Sequence, residues 1–155
     1  VARRILITGM SGTGKSTVIE QLAARGHRAI DLDAPEWSEY GPEGDWRWRE
    51  DRVQALLGSV DRDEILFLSG CAENQGKFYP QIDKVVLLSA PAEVITERLQ
   101  TRTNNAYGKR PEELADTLGY LETVEPLLRR GADHEIDTRA PLEDVVAEVV
   151  SLLED

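Results

Sequence analysis

The chain has 155 residues, 41% of them hydrophobic and 30% charged, which suits one layered core and excludes a disordered chain. A formal net charge of −11 excludes non-specific attachment to nucleic acid or an anionic membrane surface, both of which need clustered positive charge. A single cysteine, Cys71, excludes an internal disulfide and a multi-cysteine zinc site, and two histidines are too few for a metal cluster.

Val1-Ala2-Arg3-Arg4 passes straight into the apolar run Ile5-Leu6-Ile7, leaving no room for a secretory signal, and no stretch reaches the length of a membrane span. A cytoplasmic protein is therefore expected. Ile5 to Thr8 reads as a strand ending in glycines, and Ser16 to Ala24 as a helix that Gly26 stops. His27 to Asp33 reads as a second strand carrying carboxylates at its end, 34–45 as a loop rich in Pro, Gly and acids, and Trp46 to Leu57 as a helix. Glu64 to Ser69 and Lys84 to Ser89 are apolar nearly throughout, as strands buried on both faces should be. Helices are expected from Ala92 to about Arg102, from Glu112 to Leu128 and from Pro141 to Leu153, with a short last strand at His134–Asp137. This alternation predicts an α/β fold of three layers, the P-loop type, with a doubly wound parallel sheet of five strands and its ligands at the strands' carboxyl ends. The 155 residues are expected to form one such domain, with an acceptor-binding segment at about 34–60 and a short lid at about 103–111.

Gly9-Met10-Ser11-Gly12-Thr13-Gly14-Lys15-Ser16 has the form G-x-x-x-x-G-K-[ST] between a strand and a helix. Glycines let the backbone N–H groups turn around phosphate oxygens while the following helix, with Thr17 in its first turn, offers its positive end. Lys15 is expected on the β- and γ-phosphates of ATP, and the Ser16 hydroxyl in the shell of Mg²⁺. Asp31 and Asp33, two apart on a strand, point to the same face. Asp31 is assigned to the metal side, and Asp33 to the hydroxyl that attacks the γ-phosphorus. Arg47, Arg49 and Arg52 are the nearest cations for an anionic or polyhydroxy acceptor, with Arg49 and Arg52 on one helical face; the competing reading pairs them with neighbouring acids. Trp46 and Trp48 read as packing residues more than as a ligand platform. Arg98 and Arg102, four apart on a helix that then breaks, form a two-armed device for charge that spreads over a transferring phosphoryl group. Cys71 reads as a small buried residue, and His27 and His134 as structural.

Asp31-Leu32-Asp33 after the phosphate loop, followed by Trp46-Arg47-Trp48-Arg49-Glu50, resembles the small-molecule kinases of the P-loop class, especially shikimate and gluconate kinases. In that group these segments hold Mg²⁺ and the acceptor. Ser69-Gly70-Cys71-Ala72 is similar in place to their acceptor loop, which brings in Gly70. The continuation Glu73-Asn74-Gln75-Gly76-Lys77-Phe78-Tyr79 departs from both families. The resemblance further implies Arg98 near adenine, Arg102 on the phosphates, Asp137-Thr138 along the adenine, and a short lid in which Lys109 or Arg110 swings inward. A kinase using ATP and Mg²⁺ on a hydroxyl of a small polar metabolite is the leading expectation, with ATP and that acceptor as its partners and no nucleic acid or membrane. A nucleoside or nucleoside monophosphate kinase and a nucleotide-dependent switch that binds a protein partner are the alternatives.

Overall fold

A computed structural model describes residues 4–61, 63–103 and 106–154. In chain order its elements are β1 (Arg4–Thr8), α1 (Lys15–Ala24), β2 (Arg28–Asp31), β3 (Ser38–Tyr40), β4 (Trp46–Trp48), α2 (Glu50–Gly58), β5 (Leu66–Ser69), a 3₁₀ helix (Gln75–Gln81), β6 (Lys84–Ser89), α3 (Ala92–Thr101), α4 (Pro111–Thr123), α5 (Glu125–Gly131), β7 (His134–Asp137) and α6 (Leu142–Ser151). The main sheet has five strands in the order β2-β5-β1-β6-β7, all parallel. From the central β1 the chain runs to the edge as β2, returns as β5 beside β1, and continues on the other side of β1 as β6. That reversal opens a crevice at the carboxyl end of β1.

Alternation along β1 divides the core. Ile5 and Ile7 point to one face, where they meet Val18 and Leu22 of α1 and Val145, Val146 and Val149 of α6. Leu6 points to the other, with Leu56 and Leu57 of α2 and with Phe78. Ile5, Leu6 and Leu22 are fully buried, and each such side chain contributes about 1.5–3 kcal/mol on leaving water. Helix α1 ends where expected: Gly26 adopts φ +90°, and the amide of His27 donates back to the Leu22 carbonyl, a closure favouring glycine because a Cβ is strained there. Among the described residues no helix is long and apolar enough to cross a membrane.

Several boundaries differ from the sequence reading. The helix expected from Trp46 starts only at Glu50, because Trp46–Trp48 forms β4 and pairs antiparallel with β3, a strand inside the expected loop, in the register Tyr40↔Trp46 and Ser38↔Trp48. Gly44 at φ +80° and the Gly41 amide donating to the Asp45 carbonyl turn the hairpin, so turn chemistry overrides the helical spacing of 46–57. The helix expected over 112–128 is two, broken at Val124 ahead of Pro126, whose ring lacks an N–H and disfavours helix before it. The second strand stops at Asp31, where the Asp33 amide donates to Asp31 Oδ1 at 2.9 Å. The third begins at Leu66 rather than Glu64, and α3 ends at Thr101, with Arg102 extended at φ −65°, ψ 148°.

Candidate active site

The loop from Gly9 to Ser16 joins β1 to α1 at the crevice. Gly9 is required by close approach, since a Cβ on it would stand 2.5 Å from the Leu88 carbonyl oxygen. Gly14 precedes α1 in the left-handed region at φ +99°. Helix α1 has no side-chain cap and no acidic residue in its first turn, which leaves the first N–H groups and the positive end of the helix for an anion. Met10 is buried against Leu87 and Leu128, and Thr13 Oγ1 donates to the Met10 carbonyl at 2.7 Å. Lys15 folds over the loop, its Nζ donating to the carbonyls of Gly9 at 2.6 Å and Met10 at 3.1 Å.

Asp31 and Asp33 come together at the carboxyl end of β2 through the turn that Asp31 itself caps, not through strand alternation. Ser16 Oγ lies 3.5 Å from Asp31 Oδ2, and Ser69 Oγ lies 3.4 Å from Asp31 Oδ1. The Cys71 amide donates to both oxygens of Asp33 at 3.2 Å, and the Trp46 indole N–H donates to Oδ1 at 3.2 Å. Burial pushes the Asp33 carboxyl above the ordinary carboxylate range, against the opposing pull of Lys15 and of the Trp46 hydrogen bond. A carboxylate so tuned is suited to accept a proton. Gly70 stands over it: a Cβ there would lie 3.0 Å from Asp33 Oδ1 and 3.1 Å from Trp48 Nε1. Cys71 is a half-buried free thiol, and its burial raises it further from the thiolate form.

The remaining candidates lie apart from Asp33. Arg47 Nε is 3.0 Å from Asp45 Oδ2 but off-line for a hydrogen bond. Arg49 precedes α2 instead of lying on it; it pairs with Glu39, and its Nε donates to the Pro35 carbonyl at 3.3 Å. Arg52 donates to the Glu36 carbonyl at 2.6 Å. Arg98 joins two loops, donating to Thr138 Oγ1 at 2.8 Å, to the Thr138 carbonyl at 2.7 Å and to the Gly12 carbonyl at 3.3 Å. Because α3 has already ended, Arg102 diverges from Arg98 and donates to the Tyr107 carbonyl at 2.6 Å and to Ser11 Oγ at 3.4 Å. Asp137 pairs with Arg139, and Lys109 donates to the Gln100 carbonyl at 3.1 Å. Of the expected lid, Asn104 and Asn105 lie outside the described residues.

Sequence reasoning missed the side chains that hold β4 and the 3₁₀ helix in place beside Asp33. Trp46, read as a packing residue more than as a ligand platform, donates its indole N–H to Asp33. Asn74, buried, accepts from the Trp48 amide at 2.9 Å and donates to the Trp48 carbonyl at 3.0 Å. Gln75 accepts from the Ala72 amide at 2.9 Å and donates to Thr8 Oγ1 at 3.1 Å and to Tyr79 Oη at 2.8 Å. The Trp-x-Trp alternation after a Gly-Asp turn was the available signal for the hairpin, but the paired Asn-Gln carried none.

A parallel sheet whose central strand runs through a glycine-rich loop into an uncapped helix defines a P-loop nucleotide-binding protein. Residues 5–119 match the family model described as AAA domain. A shikimate kinase of Geobacter sulfurreducens is 33% identical, covering 97% of this chain and 91% of its own. Two solved structures share the fold: the shikimate kinase from Acinetobacter baumannii in complex with shikimate, at TM-score 0.70 and 22% identity over 99% of this chain and 93% of that one, and a gluconokinase from Sinorhizobium meliloti 1021, at 0.61 and 21% over 97% and 90%. The chain belongs to the shikimate kinase family within the AAA-domain P-loop proteins, and it is an ATP-dependent small-molecule kinase.

Proposed function

We propose that the chain moves the γ-phosphoryl group of ATP, with Mg²⁺, onto a hydroxyl of a small polar metabolite, and that Asp33 is the base. The observation carrying this reading is the position of Asp33. It is a half-buried carboxylate with a raised pKa, fixed by a main-chain amide, beside the lysine of the phosphate loop. Asp33 takes the proton of the acceptor hydroxyl as its oxygen bonds to the γ-phosphorus, and the bond to the bridging oxygen breaks with its electron pair leaving on ADP. Lys15 and the first N–H groups of α1 hold the phosphate charge, Arg102 adds to it from the far side, and Arg98 and Asp137-Thr138 border the adenine.

The residues fit a magnesium ion. A hydroxyl and a carboxylate 3.5 Å apart, Ser16 and Asp31, suit a hard cation that takes its other oxygens from phosphates and water. Among the described residues no group of three or more His, Cys, Asp or Glu side chains forms a protein cage. The ion would supply charge neutralisation between the phosphates.

Sugar acids, cyclohexene acids, nucleosides and nucleotides incubated with the protein, ATP and Mg²⁺ test the reading, with a phosphorylated acceptor as the expected product. Absence of transfer to every acceptor, together with ATP turnover that rises on adding a protein partner, would replace it by the switch.

A further inference from the structure

The amides of residues 70 to 73, which follow β5, all have partners. The Gly70 amide donates to the Ile7 carbonyl at 3.1 Å, and the Glu73 amide to the Trp46 carbonyl at 3.0 Å. Between them, the Cys71 amide donates to both oxygens of Asp33, and the Ala72 amide to Gln75 Oε1 at 2.9 Å. Main chain fixes the outer pair, whereas the inner pair rests on Asp33 and on a glutamine side chain. The Gln75 amide also returns to the Ala72 carbonyl at 3.3 Å, so residue 75 grips residue 72 at both its N–H and its C=O. Peptide groups are planar, with only φ and ψ free between neighbours. Pinning the planes that carry the Gly70 and Ala72 N–H groups therefore leaves the Cys71 N–H little freedom to turn away from Asp33.

The far end of Gln75 is anchored as well. Its Nε2 donates to Thr8 Oγ1 at 3.1 Å and to Tyr79 Oη at 2.8 Å. Thr8 ends β1 and precedes Gly9, whose carbonyl takes the Lys15 ammonium at 2.6 Å. Gln75 thus ties the loop beside Asp33 to the strand end from which the phosphate loop departs. It is 4% exposed and Thr8 is fully buried, so these bonds are shielded from water and strong for that reason. The same enclosure keeps Gln75 from meeting an acceptor itself. Its neighbours do not duplicate it: Asn74 serves the Trp48 main chain and Glu50, and Trp46 bonds the Asp33 carboxylate rather than the loop.

Resting on the reading of Asp33 as the base, we infer that Gln75 is a positioning residue for phosphoryl transfer. It holds the 70–72 loop so that the Cys71 amide keeps Asp33 aimed at the acceptor hydroxyl, and it fixes that loop to β1 through Thr8. A misplacement of about 1 Å in such an arrangement costs up to about 10²-fold in rate.

Gln75→Met keeps the length of the side chain and removes its polar end. With the full chain, Mg²⁺ and radiolabelled ATP, transfer is measured to gluconate, shikimate, thymidine and thymidine monophosphate. On the acceptor that wild type phosphorylates fastest, the variant should lose about 10- to 10²-fold in kcat, with KM moved less than about threefold. In an Asp33→Asn background the same change should cost less than about twofold, because residues that act through one another are not additive. Cys71, the single cysteine, gives a readout that needs no acceptor. Its alkylation by iodoacetamide should quicken about tenfold or more in Gln75→Met, at a rate that stays flat in low urea, as a local opening requires. Thr8→Val cuts the tether to β1 and should give the same pattern more weakly; it is judged by the same outcomes if Gln75→Met does not fold. An unchanged kcat, an equal loss in the Asp33→Asn background, or alkylation of Cys71 at the wild-type rate overturns the role of Gln75 and leaves phosphotransfer standing. Wild type that phosphorylates none of the four acceptors, or transfer that survives Asp33→Asn, removes the reading beneath it.

Discussion

The phosphate-loop half of the crevice and the half proposed to take the acceptor are built by different means. From Gly9 to Ser16 the geometry belongs to the main chain: positive-φ glycines, a close approach to Leu88 and an uncapped helix. From Trp46 to Tyr79 it belongs to side chains that reach across the sequence, Asn74 to the Trp48 backbone, Gln75 to the Thr8 hydroxyl and Trp46 to the Asp33 carboxylate. A site held by main chain leaves its mark in a contiguous motif. A site held by scattered side chains does not.

The sharpest way to separate the halves is Asp33→Asn. With Asp33 as the proposed base, its loss should lower phosphoryl transfer by about 10²–10⁴-fold, while ATP binding followed by calorimetry stays within a factor of two. The same variant should gain stability at neutral pH. Because the folded carboxyl titrates above its ordinary 3.8, wild type loses stability as pH rises from that value through the folded pKa, and Asn does not. Urea unfolding of both proteins across pH 3 to 8 should show the gap closing on the acid side; a constant gap would contradict the raised pKa.

Lys15→Met acts on the other half. It should cost about 10²–10³-fold in kcat by removing transition-state charge stabilisation and should weaken ATP binding, with acceptor binding unchanged by fluorescence titration. Asn74→Ala should break the comparison at its joint. It strands the buried amide and carbonyl of Trp48, so unfolding by urea should show a loss of about 1–3 kcal/mol and raised acceptor KM, with ATP affinity preserved.

The smallest effect belongs to Trp46→Phe. Removing a hydrogen bond that favours the ionised form of Asp33 should move the acid limb of the kcat profile to higher pH. An unmoved limb would mean that Trp46 does not tune the base.

What the sequence revealed follows the same division. The five parallel strands and α1 were legible because apolar runs and a glycine stop are local signals. The hairpin of β3 and β4 was not, since 46–57 carries helical spacing and only the short Trp-x-Trp alternation and its turn residues contradict it. The break at Val124 was also legible in principle, at Pro126, but the apolar period runs through it. Asp31 and Asp33 lie together, but not by strand alternation: the turn between them rests on a side chain bonding its own backbone two residues on. Nor does spacing reveal that Arg47, Arg49 and Arg52 meet Asp45, Glu39 and the 35–36 carbonyls, because partner choice depends on the hairpin.

The amide of residue 71, rather than any side chain, grips both oxygens of Asp33. Every amino acid except proline offers the same N–H. The grip on the proposed base therefore needs no particular side chain at 71, and the thiol there is left to pack beside Met10, Leu87 and Leu128. Residues chosen at 71 for packing against that cluster can therefore change stability while the amide contact to Asp33 is kept.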